Sequence, residues 1–183
     1  MYVFVTGVAG VAGAPVIVAN ASATGIHCSA MKAAILHGPR ELRVEAFRAP
    51  EPGAGDALVR VAVAGLCGTD YSIFSGDRQV RYPRVMGHEF VGRVEAVGAG
   101  VTTPRVGDRV VIEPNYSCGV CPLCREGNRN LCLARTAVGI DVDGCFAELV
   151  RVPVRCCWSA PAGVSDEDLV VTEPLAVVVR AVA

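Results

Sequence analysis

Four cysteines fall within fifteen residues, Cys118, Cys121, Cys124 and Cys132, with the spacing C-x2-C-x2-C-x7-C. That run is short enough for one loop to wrap a single ion. Four thiolates around one centre suit tetrahedral zinc, which takes soft ligands and imposes no electronic geometry of its own. A second possible site is spread along the chain. Cys67 lies in Gly65-Leu-Cys-Gly-Thr-Asp70, His88 in Gly87-His-Glu-Phe-Val-Gly92, and Glu173 just ahead of Pro174. A thiolate, an imidazole and a carboxylate from three segments leave a fourth position open. An open position is what a catalytic zinc requires, whereas a four-thiolate site is closed.

Each of these residues also has a plainer reading. A single cysteine such as Cys67 is often a core thiol, and a single histidine such as His88 a satisfied polar residue. Glu89 could be a solvated acid at a strand edge, and Glu173 an acid complementing a helix dipole. Thr69 could simply cap a short helical turn. The thiolate loop could instead be disulfides, but its spacing within one loop favours a metal.

The elements that must carry these groups read as short strands separated by Gly, Pro and Asp. The pattern predicts strands at 33–36, 42–47, 57–64, 90–97, 109–112 and 146–151. Such a series forms a compact, partly open barrel whose loops carry function. The pattern changes after Ser165, where an N-cap serine and three acids predict a helix start. A second helix is predicted from Glu173, with Pro174 in its first turn.

Composition bounds the rest. The chain has 183 residues, 52% hydrophobic and 19% charged, which calls for a buried core rather than disorder. A net charge of −1 with no Lys/Arg cluster argues against nucleic acid as a partner. No stretch is long and apolar enough to span a bilayer. Of nine cysteines, four sit in the metal-type loop, while Cys28, Cys145, Cys156 and Cys157 have no partner pattern and read as buried or incidental thiols. Reduced thiols fit a cytoplasmic location better than export. His27 and His37 have no ligand context and read as surface residues.

Residues 1–30 stand apart. Val3-Phe-Val-Thr-Gly-Val-Ala-Gly-Val-Ala-Gly13 contains T-G-x-x-G-x-x-G and resembles the nucleotide-binding turn of short-chain dehydrogenases. That motif needs a following helix and a second strand, which Pro15 and the Asn20-Ala-Ser-Ala-Thr-Gly25 run do not supply. The segment also lacks the basic start of a signal peptide. It is read as an extension of uncertain role ahead of Met31.

From Met31 onward the sequence resembles the zinc-dependent medium-chain alcohol and polyol dehydrogenases. Gly87-His-Glu-x2-Gly92-x5-Gly98-x2-Val101 is similar to that family's zinc signature, Cys67-Gly-Thr-Asp70 to its first-ligand motif, and the cysteine loop to its structural zinc lobe. Glu113-Pro114 and Glu173-Pro-Leu175 are more similar to the sorbitol and polyol branch. The resemblance covers 31–183 and leaves 1–30 unexplained.

The resemblance implies a mainly β (α+β) fold. Residues 31–161 would form a GroES-like catalytic domain with a structural zinc lobe, and 162–183 the start of a helical connection to a nucleotide-binding domain. It implies two zinc ions per chain, one catalytic and one structural, and NAD or NADP as hydride acceptor. Cys67 and His88 would be catalytic-zinc ligands. Glu89 and Glu173 would each be a ligand or a hydrogen-bond partner of a water at the metal. Asp70 would orient His88 and fix its tautomer. Zinc would bring an alcohol's pKa to near about 7, and Thr69 would carry the proton outward. The family often has a histidine three residues past that hydroxyl, where this chain has Ser72. Tyr71, Ile73 and Phe74 are candidates to line the alcohol pocket. The partner would be a small alcohol or polyol, with no nucleic acid or membrane, and the full-length protein a homodimer or homotetramer.

The dinucleotide fold that should follow the last helix is not in this sequence. The expectation is therefore the catalytic domain of an NAD(P)-dependent dehydrogenase, with little turnover alone. The alternatives are a zinc-stabilised interaction module, a zinc-finger nucleic-acid binder lacking its basic face, and a thiol oxidoreductase lacking its βαβ setting.

Overall fold

The structure is a computed structural model and describes residues 5–6 and 30–182. Its strands, in chain order, are β1 (Val5–Thr6), β2 (Ala30–Leu36), β3 (Leu42–Arg48), β4 (Asp56–Gly65), β5 (Arg84–Val85), β6 (Glu89–Val97), β7 (Arg109–Ile112), β8 (Asn115–Tyr116), β9 (Thr136–Ala137), β10 (Leu149–Pro153) and β11 (Cys157–Ser159). Four α-helices accompany them: α1 (Gly68–Ser75), α2 (Pro122–Arg125), α3 (Asp166–Leu169) and α4 (Thr172–Val182). No helix among the described residues is long and apolar enough to cross a membrane.

The main sheet runs β1-β4-β6-β7-β11, with β10 also paired to β4, and every pairing in it is antiparallel. A second sheet, β3-β2-β5, is antiparallel as well, and β8-β9 forms a small third. Among the described residues the sheets do not close on one another, so the mainly β, GroES-like expectation of a partly open barrel holds. Five of the six expected strands appear within two or three residues of their predicted bounds. The sixth, 146–151, is divided. Phe146 and Glu148 exchange backbone hydrogen bonds with Ala34 and Lys32 of β2, and only then does β10 join β4. Here the chain turns a corner between sheets, which alternation of side chains does not reveal.

Two faces of the main sheet bury different sets. The inner face gathers Ala57, Val59, Ala64, Phe90, Val94, Val110 and Ile112 with Val150 and Val152. The outer face carries Val63, Val91 and Val111 under Leu169 and Val170. Side chains alternate along a strand, so Val59 and Val63 should share a face. They do not, because an irregularity in the β4–β6 register between Val61 and Val63 inserts Ala62 as an extra residue. Such a bulge re-phases the strand beyond it. It turns Val63 and Gly65 outward and Ala64 inward.

The C-terminal helices start as expected. Ser165 accepts a hydrogen bond from the Asp168 amide at 3.1 Å and opens α3, which is only four residues long. Pro174 falls in the first turn of α4, where amides have no partner inside the helix. Apart from Val5 and Thr6, which pair with Ala64 and Val63, and Ala30, which opens β2, the 1–30 extension, with its glycine run, His27 and Cys28, lies outside the described residues.

Gly92 sits opposite the bulge, and a Cβ there would lie 2.3 Å from the Arg60 carbonyl oxygen and 2.7 Å from Val59 Cγ1. The carbonyl belongs to the paired strand and cannot swing away. Gly92→Ala is therefore expected to lower unfolding free energy by about 2 kcal/mol. Gly68→Ala, where no atom stands within 4 Å of the new carbon, should stay within about 0.5 kcal/mol of the parent. Urea midpoints of the two variants check the contrast.

Candidate functional site

Cys67 lies two residues past the end of β4, and His88 immediately precedes β6. Because β4 and β6 are antiparallel and Gly65 faces Glu89 in register, these two ends meet. One ligand atom each from Cys67, His88 and Glu89 lies within 4.8 Å of the others. His88 and Glu89 are buried, at 7% and 3% exposure, while Cys67 is half-buried and keeps a path to solvent. Glu89 shares the outer face of β6 with Val91. Glu173, in the first turn of α4, is outside that tight set, yet close enough for His88 and Glu89 to act on its charge.

Asp70 holds the assembly together. It is 1% exposed. Its Oδ2 accepts the Cys67 amide hydrogen at 3.0 Å, capping α1 as the helix leaves Cys67. Its Oδ1 accepts the Gly87 amide hydrogen at 3.2 Å and lies 3.5 Å from His88 Nδ1. Gly87 has φ +91°, a left-handed conformation that suits glycine and turns the chain into β6. One carboxylate thus fixes both loops and occupies the Nδ1 side of the imidazole, leaving Nε2 as the nitrogen available to an ion.

The charges of this cluster oppose one another. Burial works against a charged His88 ring, but Asp70 and then Cys67 outweigh it and raise its pKa to about 9. Burial raises the pKa of Glu89, against the pull of His88 and a hydrogen bond with Cys67. Burial also raises that of Glu173, with His88 opposing and the negative Glu89 adding to the rise. Among the described residues no lysine or arginine figures in these balances. A thiol, an imidazole and two acids gathered without a lysine or arginine among the described residues form a donor set that a divalent ion would satisfy.

The neighbouring residues divide. Thr69 is half-buried in the first turn of α1, two positions past Cys67. Ser72 donates its hydroxyl to the Gly68 carbonyl at 3.2 Å, so it is turned back onto its own helix. Ile73 corrects the pocket expectation. It is fully buried and packs with Leu36 and Met86 in a core cluster that Phe74 flanks. Tyr71 points outward, 64% exposed. The period of α1 places Ile73 inward, and a short apolar run cannot distinguish core from pocket. His37 is bound to Glu45 at 2.8 Å. Cys145 and Cys156 are buried free thiols and Cys157 is half-buried.

The cysteine loop forms a separate cluster. Its sulfurs stand 3.4 Å apart for Cys121–Cys124, 3.6 Å for Cys118–Cys132, 3.9 Å for Cys121–Cys132 and 4.0 Å for Cys118–Cys124. A disulfide would bring two of them to about 2.05 Å. Tetrahedral zinc with bonds of about 2.3 Å separates its sulfurs by about 3.8 Å, so the spacing fits a closed four-thiolate centre. Backbone amides prepare it. Hydrogen bonds from Val120 and Cys121, then Cys132, hold the Cys118 thiol down to about 6.

Residues 53–162 match the family described as the alcohol dehydrogenase GroES-like domain. The starvation-sensing protein RspB of Escherichia coli (strain K12) is 40% identical over 148 residues, 80% of this chain and 44% of the relative. A sorbitol dehydrogenase of Bacillus subtilis (strain 168) is 34% identical over 158 residues, 84% of this chain and 45% of the relative. A crystal structure of a putative zinc-binding dehydrogenase from Sinorhizobium meliloti 1021, bound to NADP, is 39% identical with a TM-score of 0.80, covering 84% of this chain and 45% of that one. The chain spans less than half the length of these proteins.

Removing the Asp70 carboxylate would strand two amide hydrogens, one of them buried. Asp70→Ala is expected to lower unfolding free energy by about 2–4 kcal/mol, and Asp70→Asn, which keeps one acceptor oxygen, by less. Faster hydrogen exchange at the Cys67 and Gly87 amides, read alongside chemical denaturation, checks the assignment.

Proposed function

Because the chain belongs to the alcohol dehydrogenase GroES-like domain family, we propose that it supplies the metal-binding catalytic part of an NAD(P)-dependent zinc oxidoreductase acting on a polyol or secondary alcohol. The observation that carries this reading is the convergence of Cys67, His88 and Glu89 donor atoms within 4.8 Å. Three donors of mixed type leave a coordination position for substrate. A nicotinamide partner is supported by the NADP-bound neighbour, and a polyol by the sorbitol dehydrogenase relative.

Cys67, His88 and Glu89 are the first choices as ligands. Glu173, in the first turn of α4 and near enough for the charges of His88 and Glu89 to act on it, is a second acid available to the ion or to a hydroxyl beside it. Zinc bound there would supply Lewis acidity, lowering the pKa of an alcohol hydroxyl. Asp70 keeps the imidazole in the tautomer whose Nε2 faces the site. Thr69 is placed to accept the departing proton and pass it outward. Ser72, bonded to Gly68, does not extend that path, so the proton leaves to solvent or to a cofactor hydroxyl. The four thiolates of Cys118, Cys121, Cys124 and Cys132 hold a second, structural zinc. We assign the GroES-like domain to 31–161 and the helical connection to 162–183. The parallel sheet that would seat the cofactor is not among the described residues, so little turnover is expected of this chain alone.

Metal analysis of the purified 183-residue chain tests the reading. Two zinc ions per chain are expected, falling to one in Cys67→Ala and in His88→Ala while the thiolate loop stays loaded. With cobalt in the open site, the visible spectrum should shift on adding a polyol. One ion per chain, held by the four cysteines alone, would favour a zinc-stabilised interaction module. Robust NAD reduction by this chain would contradict the expectation of low turnover.

A further inference from the structure

We propose that Gly65 is a positioning residue for Glu89, the missing side chain at 65 being the space into which the Glu89 carboxylate folds toward Cys67 and His88. The inference rests on the metal-site reading above and concerns what sets that site's geometry.

Gly65 and Glu89 are directly opposed in the β4–β6 ladder. Opposed residues in a strand pair project to the same face, with their Cβ positions about 5 Å apart. A Cβ built on Gly65 would lie 2.5 Å from Glu89 Oε2, 3.2 Å from Glu89 Cβ and 3.6 Å from Glu89 Cδ. The carboxylate therefore lies back across the glycine rather than standing away from the sheet. This fold-back brings it within reach of Cys67, two residues beyond Gly65.

The backbone at this position does not call for glycine. Gly65 is absent from the glycines with left-handed φ, so its backbone suits any residue. The three nearest atoms all belong to Glu89 and none is backbone. The contrast with Gly92 is sharp, because there the nearest atom is a strand carbonyl. A methyl group at 65 would displace the Glu89 carboxylate, its nearest contact, and press on Glu89 Cβ at 3.2 Å, which a shift of a few tenths of an ångström between the strands relieves. The bulge at Ala62 completes the arrangement. Were Ala62 paired in a regular ladder instead of bulged, Gly65 would fall in phase with Val59 and face the inner core, leaving Glu89 opposite a different residue.

The experiment is a double-mutant cycle on the full chain, with Gly65→Ala, Glu89→Ala and both together. Cobalt(II) is the probe, and chelator competition reads affinity at the mixed-donor site. The thiolate-to-cobalt bands of the four-cysteine loop report that the fold is retained. Gly65→Ala is expected to keep those bands and to weaken the mixed site by about ten- to hundredfold, with a changed visible spectrum. The double variant should bind no more weakly than Glu89→Ala alone, because the glycine acts only through that acid. Parent-like affinity and spectrum in Gly65→Ala would overturn the proposal. So would additive losses in the double variant, which would mean that the glycine supports the fold. If the parent chain itself takes up a single cobalt, in the thiolate loop, the metal-site reading fails and the proposal with it.

Discussion

One buried carboxylate organises the site. Asp70 accepts the Cys67 and Gly87 amides with its two oxygens and faces His88 Nδ1 with the second. Burying a carboxylate is costly unless its lone pairs are met, and here two backbone amides meet them, with the His88 ring 3.5 Å away. The consequence is mutual. The acid can be buried only if both loops are in place, and each loop is held only if the acid is there. This explains how the chain keeps a thiol and an imidazole from distant segments close together. Their charges are balanced only in part, since among the described residues no lysine or arginine joins His88 in opposing Glu89 and Glu173.

The sheet decides which side chains that pivot can use. Antiparallel pairing of β4 and β6 places the end of one beside the start of the other, and the register sets Gly65 against Glu89. The bulge at Ala62 then changes face at the place where strand becomes site. Upstream of it, β4 alternates to fill the inner core. Downstream, the same strand turns a valine under α3 and a glycine under an acid. Core and site are thus separated by one inserted residue. The cost is a tight crossing at Gly92, where no side chain fits.

The cysteine lobe obeys a different logic. Its four sulfurs come from one short loop, braced by α2 and by amides aimed at sulfur. Nearly all the information needed to form it lies within fifteen residues. The mixed-donor site draws on β4, α1, β6 and α4 together. One centre is local and the other is assembled by topology, which is why their residues are so differently legible.

The amino-acid sequence by itself determined the strand series, the spacing of the four-cysteine loop and the helix start at Ser165. These are short-range properties, fixed by alternation, turn residues, capping chemistry and ligand spacing. Only the tertiary structure decided that Ile73 belongs to the core and Ser72 to its own helix, that Glu89 lies inside the tight donor set with Glu173 outside it, and that Gly65 leaves the space Glu89 occupies. Those outcomes depend on which strand lies opposite which, on a bulge that shifts phase by one residue, and on where a helix is set down. Each is a relation between segments far apart in the chain, and spacing along one segment carries no information about the distance to another.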